Sequence, residues 1–242
     1  MYDHSVIDYI CHRGDLKVLE YWYQKYLSGV LRFEYTRSAL NEAILKGHIN
    51  IVKWWVEHDL LLKYSHKAFF TLHLSMLKYL AYEQNTVVIS MPYEIIDRTC
   101  TSTCTSVDEE KNVLDILNFW YEHKNTFEFK YSSHAMDNAS VNVLQWWFDH
   151  RDGLELKYTS ESMDHGRLGI LQWWFDHKDE LELKYTEKSI LYALLVENIP
   201  IIEWWYVKRF ELKPNVPEYA LRNAIENNVI DCKYLALIDG VS

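Results

Sequence analysis

The stretch Asn142-Val143-Leu144-Gln145-Trp146-Trp147-Phe148-Asp149-His150 decides the reading, because the chain rewrites it from end to end. The variants read Val-Leu-Glu-Tyr-Trp at 18–22, Ile-Val-Lys-Trp-Trp at 51–55, Met-Leu-Lys-Tyr-Leu at 76–80 and Ile-Leu-Asn-Phe-Trp at 116–120. They continue as Ile-Leu-Gln-Trp-Trp at 170–174, Ile-Ile-Glu-Trp-Trp at 201–205 and a worn Asp-Cys-Lys-Tyr-Leu at 231–235. With Trp146 as register, the equivalent aromatics are Tyr21, Trp54, Tyr79, Phe119, Trp146, Trp173, Trp204 and Tyr234, spaced by 33, 25, 40, 27, 27, 31 and 30 residues. A spacing near 30 marks stacked supersecondary units. Apolar residues at helical spacing followed by charged ones predict that each copy is a short helix with one wide buried face.

A second segment recurs between the copies: Leu-Leu-Leu-Lys-Tyr-Ser at 60–65, Phe-Glu-Phe-Lys-Tyr-Ser at 127–132, Leu-Glu-Leu-Lys-Tyr-Thr at 154–159 and 181–186, and Phe-Glu-Leu-Lys-Pro-Asn at 210–215. Its alternation predicts a short extended connector with one buried face. The most informative copy runs from Tyr35 to His58. Thr36 suits an N-cap, Gly47 a stop, and Ile49–His58 a second helix antiparallel to the first. The first copy is expected as Val6–Cys11, a turn at 12–15 and a helix Leu16–Tyr26.

Ala39, Leu40 and Ala43, followed by Gly47-His48, Ile51-Val52-Lys53 and Glu57-His58, resemble the helix-turn-helix core of the ankyrin repeat family. The Trp-Trp variant is most similar to divergent ankyrin-like arrays of large DNA viruses, amoebae and fungi. Thr36 is followed by Arg37-Ser38-Ala39 rather than Pro-Leu-His, and most copies lack a glycine after the position of His58. The resemblance implies an all-α fold: an α-solenoid of about eight ankyrin-like helix-turn-helix units with short extended connectors, over residues 1–242 as a single repeat domain. Within it, 1–30 is the N-terminal unit, 83–112 an atypical unit with an insertion, and 225–242 a degenerate C-terminal cap.

From cap to register aromatic there are 18 residues for Thr36 to Trp54 and Thr186 to Trp204, but 14 for Ser65 to Tyr79, Ser132 to Trp146 and Thr159 to Trp173. The difference is close to one helical turn, so three copies should have a stunted first helix with its buried face preserved. Small residues four apart in that helix (Ala39 and Ala43, Ala135 and Ala139, Ser162 and Gly166, Ser189 and Ala193, Ala220 and Ala224) should make room for a neighbouring Trp. In the irregular region, 86–90 reads as strand-like, 93–97 as a helical turn and 99–106 as a small, polar surface loop. Ser106 and Glu109 have capping-box spacing, which restarts a helix near Val107 and carries it to about His123.

Paired indoles 100° apart on a helix belong to two packing faces, not to a stacking platform for bases or sugars. His58, His123, His150 and His177 recur at the helix C-terminus, where they suit the last carbonyls better than a metal ladder. Cys100 and Cys104 match zinc spacing poorly, and the four cysteines do not read as a disulfide framework. Glu155 and Lys157, Glu182 and Lys184, and Glu211 and Lys213 should form a solvated charged ladder. No phosphate loop, nucleophile elbow or metalloprotease motif is present, so no enzyme activity, cofactor or metal is expected.

The formal charge of -10 disfavours non-specific nucleic-acid or anionic-membrane binding. With no h-region and no apolar run of membrane length, a cytoplasmic protein is expected, in the host cytoplasm if the chain is viral. What remains is a non-enzymatic scaffold or adaptor, monomeric alone, that binds another protein through the connectors and first-helix face; the alternative is a structural component of a viral particle or large assembly. Positions just after the helix cap vary most between copies. Arg37, His66, Lys67, His134, Glu161, Glu187 and Lys188 are therefore the expected contacts.

Overall fold

A computed structural model describes residues 6–65, 68, 73–82, 94–102, 106–125 and 129–237. These residues form helices and connections, with no strand among them. The chain divides into two compact bodies, Met1–Tyr131 and Ser132–Ser242. The first holds α1 (Val6–Arg13), α2 (Leu16–Leu27), α3 (Arg37–Leu45), α4 (Ile49–Glu57), α5 (Leu74–Tyr82), α6 (Glu94–Cys100) and α7 (Val107–Glu122). The second holds α8 (His134–Asp137), α9 (Val141–Asp149), α10 (Glu161–Asp164), α11 (Leu168–Asp176), α12 (Lys188–Leu195), α13 (Ile199–Leu212), α14 (Glu218–Glu226) and a 3-10 helix, Cys232–Leu237.

Caps start the helices where the sequence places them. Thr36 accepts the Ser38 N–H at 3.1 Å, and Ser106 accepts the Glu109 N–H at 3.2 Å. α8 and α10 are single turns of four residues, against nine for α3 and eight for α12. The predicted stunting is thus real in the copies that begin at Ser132 and Thr159, whereas residues 66–67 and 69–72 of the third such copy lie outside the described residues. So do 86–90.

Within each body, first helices pack on first helices and second helices on second helices: α1 on α3, α2 on α4, and likewise α8 on α10 on α12 on α14, and α9 on α11 on α13. The second helices meet through the register indoles. Trp173 donates its ring N–H to Gln145 Oε1 and Trp204 to Gln172 Oε1, both at 2.9 Å, and Trp54 donates to Glu20. Each acceptor stands one residue before the register position of the preceding copy. The following indole turns away, at 86° to 89° to the first in the 54/55, 146/147, 173/174 and 204/205 pairs. It meets the tyrosine of its own connector: Trp55 with Tyr35, Trp174 with Tyr158, and Trp205 with Tyr185. Trp55, Trp147, Trp174 and Trp205 are among the largest fully buried side chains. Both indoles of a pair are therefore core.

First helices are joined by a different contact. The Asp8 carboxylate accepts the Thr36 N–H at 2.9 Å and the Thr36 hydroxyl at 2.7 Å. Asp137 does the same for Thr159 (2.7 and 3.0 Å), and Asp164 for Thr186 (2.7 and 2.8 Å). Asn41 substitutes as an amide, accepting the Ser65 N–H at 2.8 Å and donating to the Ser65 hydroxyl at 3.1 Å. A carboxylate this buried requires such partners. Where the chain puts Leu191 at the equivalent position, the next cap is Pro217, which has no N–H to give.

The structure corrects the sequence reading at four places. Residues 210–212 are not connector: Lys208 stands where other copies carry the terminating His, and α13 runs on to Leu212, closing at Lys213 in the left-handed region (φ 49°). Accordingly Glu211 pairs with Lys178, not with Lys213. Thr99 and Cys100 are not surface loop but the buried end of α6, where the Thr99 hydroxyl donates to the Ile95 carbonyl. Tyr21 occupies an aromatic register yet is 60% exposed, since no described helix covers it as α2 covers Trp54.

Replacing Trp146 by Ala should cost about 3–5 kcal/mol in urea unfolding, the range for a buried aromatic. Asp164→Ala should cost about 1–3 kcal/mol by stranding both Thr186 donors, whereas Asp164→Asn should cost clearly less, since Asn41 already does this work. Equal losses in the two variants would refute the clasp.

Candidate protein-binding surface

The clasps fix the helix starts at Thr36, Thr159 and Thr186, and the residues just beyond these caps face outward. Arg37, His134, Glu161, Glu187 and Lys188 are all exposed. His66 and Lys67 lie outside the described residues. In the second body, His134 and Glu161 come from neighbouring copies yet converge: their ligand-type atoms and those of Asp137 lie within 4.8 Å of one another. Sequence reading missed this trio because 27 residues separate His134 from Glu161. Both Asp137 oxygens are already acceptors for Thr159, which accounts for this buried carboxylate without a cation.

Glu187 and Lys188 line a shallow cleft of about 490 Å³ with Tyr185, Thr186, Lys213 and Asn215. Lys213, which closes the overrunning α13, and Asn215 stand there beside the start of α12. The first body has its own cleft of about 320 Å³ between α1 and α3, lined by Asp8, Tyr9, His12, Ser38 and Glu42. There His12 Nδ1 lies 3.2 Å from Glu42 Oε2, and His48 Nε2 lies 3.1 Å from the His12 carbonyl oxygen. Tyr9 is 61% exposed at its rim. The sequence did not single out Tyr9, His12 or Glu42, because they belong to two helices with no shared motif.

The other recurring side chains are occupied. Nδ1 of His58, His123, His150 and His177 lies 2.6–2.8 Å from the carbonyl oxygen four residues back, capping the helix. Three of these rings also stack on the register indole, with centroids 4.1–4.2 Å apart. In the connectors, the Tyr35 hydroxyl donates to the Leu61 carbonyl and that of Tyr158 to the Glu182 carbonyl. Lys63 and Lys184 each lie 4.5 Å from the ring centroid of the tyrosine one connector earlier. Glu155 with Lys157, and Glu182 with Lys184, form loose exposed pairs at 3.5 and 3.7 Å.

Ionisation follows the same division. Burial raises the Tyr158 and Tyr185 phenols. Hydrogen bonds from Gln24 and then Trp54 hold the Glu20 carboxyl below its usual range, and Tyr234 and then Lys233 do so for Glu203. The Cys11 thiol, fully buried, is pushed up to about 11, chiefly by burial, with the Trp55 indole opposing and Asp8 adding to the rise. Such a thiol is a core group, not a nucleophile. No helix among the described residues is long and apolar enough to cross a membrane. Comparison with protein-family models and with curated proteins finds no match.

Because folding raises the Cys11 pKa from an ordinary value near 9, stability is full below pH 9 and declines as pH rises toward about 11. In urea unfolding, wild type should lose more stability over that interval than Cys11→Ala; parallel pH profiles would refute the assignment.

Proposed function

We propose that this chain is a divergent ankyrin-like array that works as a non-enzymatic protein-binding scaffold, meeting its partner on the first-helix face. The observation that carries the reading is a division of labour among side chains. The described indoles, capping histidines and connector tyrosines that recur from copy to copy are occupied in contacts within a copy or between neighbouring copies. Those that vary, Arg37, His134, Glu161, Glu187 and Lys188, are exposed at equivalent places beyond the caps. Repeat arrays that bind proteins keep framework and recognition residues apart in this manner. Both described clefts are shallow and lie along first helices, which suits a peptide segment or a protein edge better than an enclosed small molecule.

Affinity capture from the native host with mass-spectrometric readout should recover a specific protein. Combined charge reversal at Arg37, Glu161, Glu187 and Lys188 should lower its recovery several-fold without lowering Tm. The purified chain should be monomeric by light scattering at micromolar concentration. A captured complex indifferent to all four reversals would place recognition elsewhere.

A further inference from the structure

We infer that the cleft at the start of α12 is a docking notch for an acidic peptide segment, held by Lys188 and Lys213. This rests on the scaffold reading and names the chemistry of one part of its surface.

On a chain of formal charge -10, an acidic segment meets net repulsion except where cations converge. The cleft of about 490 Å³ gathers two lysines against one carboxylate, Glu187. Neither lysine has an ion-pair partner among the described residues, whereas four other cations of the second body are paired: Arg151 with Glu180, Lys178 with Glu211, Arg222 with Glu218 and Lys233 with Glu203. The pairing of Glu211 with Lys178 matters most, because it neutralises the carboxylate nearest Lys213 in sequence. Asn215 adds an amide donor to the wall. Elsewhere on the same face the residues corresponding to Lys188 are His134 and Glu161, so the cationic notch occurs once in this row of first helices. Two ammonium groups beside an amide donor fit side-chain carboxylates of an extended peptide.

The left-handed backbone at Lys213 supplies a clean test. Glycine is the residue that tolerates φ of 49° best, so Lys213→Gly removes the charge while easing the backbone. Binding of a short fluorescein-labelled oligoglutamate peptide to the full chain should be read by anisotropy. Lys213→Gly and Lys188→Glu should each weaken it by about threefold or more, and together by roughly tenfold, with added salt weakening wild type most. The melting temperature of Lys213→Gly should be no lower than that of wild type. A neutral Gly-Ser peptide should not bind. The proposal is overturned if the oligoglutamate fails to bind, if both variants bind it as wild type does, or if inorganic phosphate displaces it at equal concentration, which would mark a small-anion site. Should the native partner still be captured in any of those cases, the scaffold reading stands and only the notch is lost.

Discussion

The fold depends on a buried carboxylate that does two jobs at once. Asp137 and Asp164 sit five residues after a helix cap, out of solvent, and each accepts both donors of the cap that opens the next copy. An unpaired charge at that depth would destabilise the protein by several kcal/mol, so neighbouring first helices are tolerated only at the separation and rotation that satisfy it. Apolar packing alone sets no such register, because small residues on facing helices slide with little penalty. The clasp also fixes the thread of the threonine itself, whose hydroxyl donates to the aspartate and accepts the N–H two residues on. One carboxylate thus positions the next helix and helps to cap it.

The indoles supply the second constraint, on the other row of helices. A register tryptophan has its N–H fixed by a glutamine or glutamate of the preceding copy, while Phe148 and Phe175 meet Trp173 and Trp204 edge-on at 6.0 Å. The acceptor varies with the donor. Glu203 takes the Tyr234 hydroxyl, and Lys53 instead lies 5.1 Å from the centroid of the Tyr79 ring. Position is kept while chemistry changes, because the geometry asks for a polar tip over an aromatic edge and several residue types provide one. The second indole pays a different role: buried against its own connector tyrosine, it ties helix to loop inside a copy rather than copy to copy.

Much of this was legible in the sequence, for a definable reason. The recurring Trp-Trp pair, Ser106 with Glu109, and the loss of about one turn before Trp146 and Trp173 are local signals, and the all-helical fold with one-turn α8 and α10 follows from them. The aspartates were passed over because Met136-Asp137 and Met163-Asp164 look like exposed ends of a polar helix until the partner, 22 residues away, is in place. The overrun of α13 was hidden because Phe210-Glu211-Leu212 copies the connector pattern; what decides there is the absence of a capping imidazole at Lys208, four residues after Trp204. Cys100 was misread for the opposite reason: a Thr/Ser-rich composition suggested solvent, whereas Thr99 returns its hydroxyl to the helix and the thiol faces the core.

The surface was legible only by subtraction. Once clasp, indole ladder, imidazole caps and connector tyrosines are assigned, the exposed side chains just beyond the described caps include Arg37, His134, Glu161, Glu187 and Lys188, and these differ in charge from one copy to the next. The Lys188 side chain takes no part in either row of contacts, so its replacement leaves the clasp and the indole ladder untouched. The framework departs from its rule at Leu191, which faces no donor, at Pro217 as a cap and in the length of α13, and the end of α13 adjoins one cleft. That coincidence is the physical reason to look for a ligand there: the copy that gave up its clasp is also the one whose neighbouring loop brings a second ammonium group to the surface.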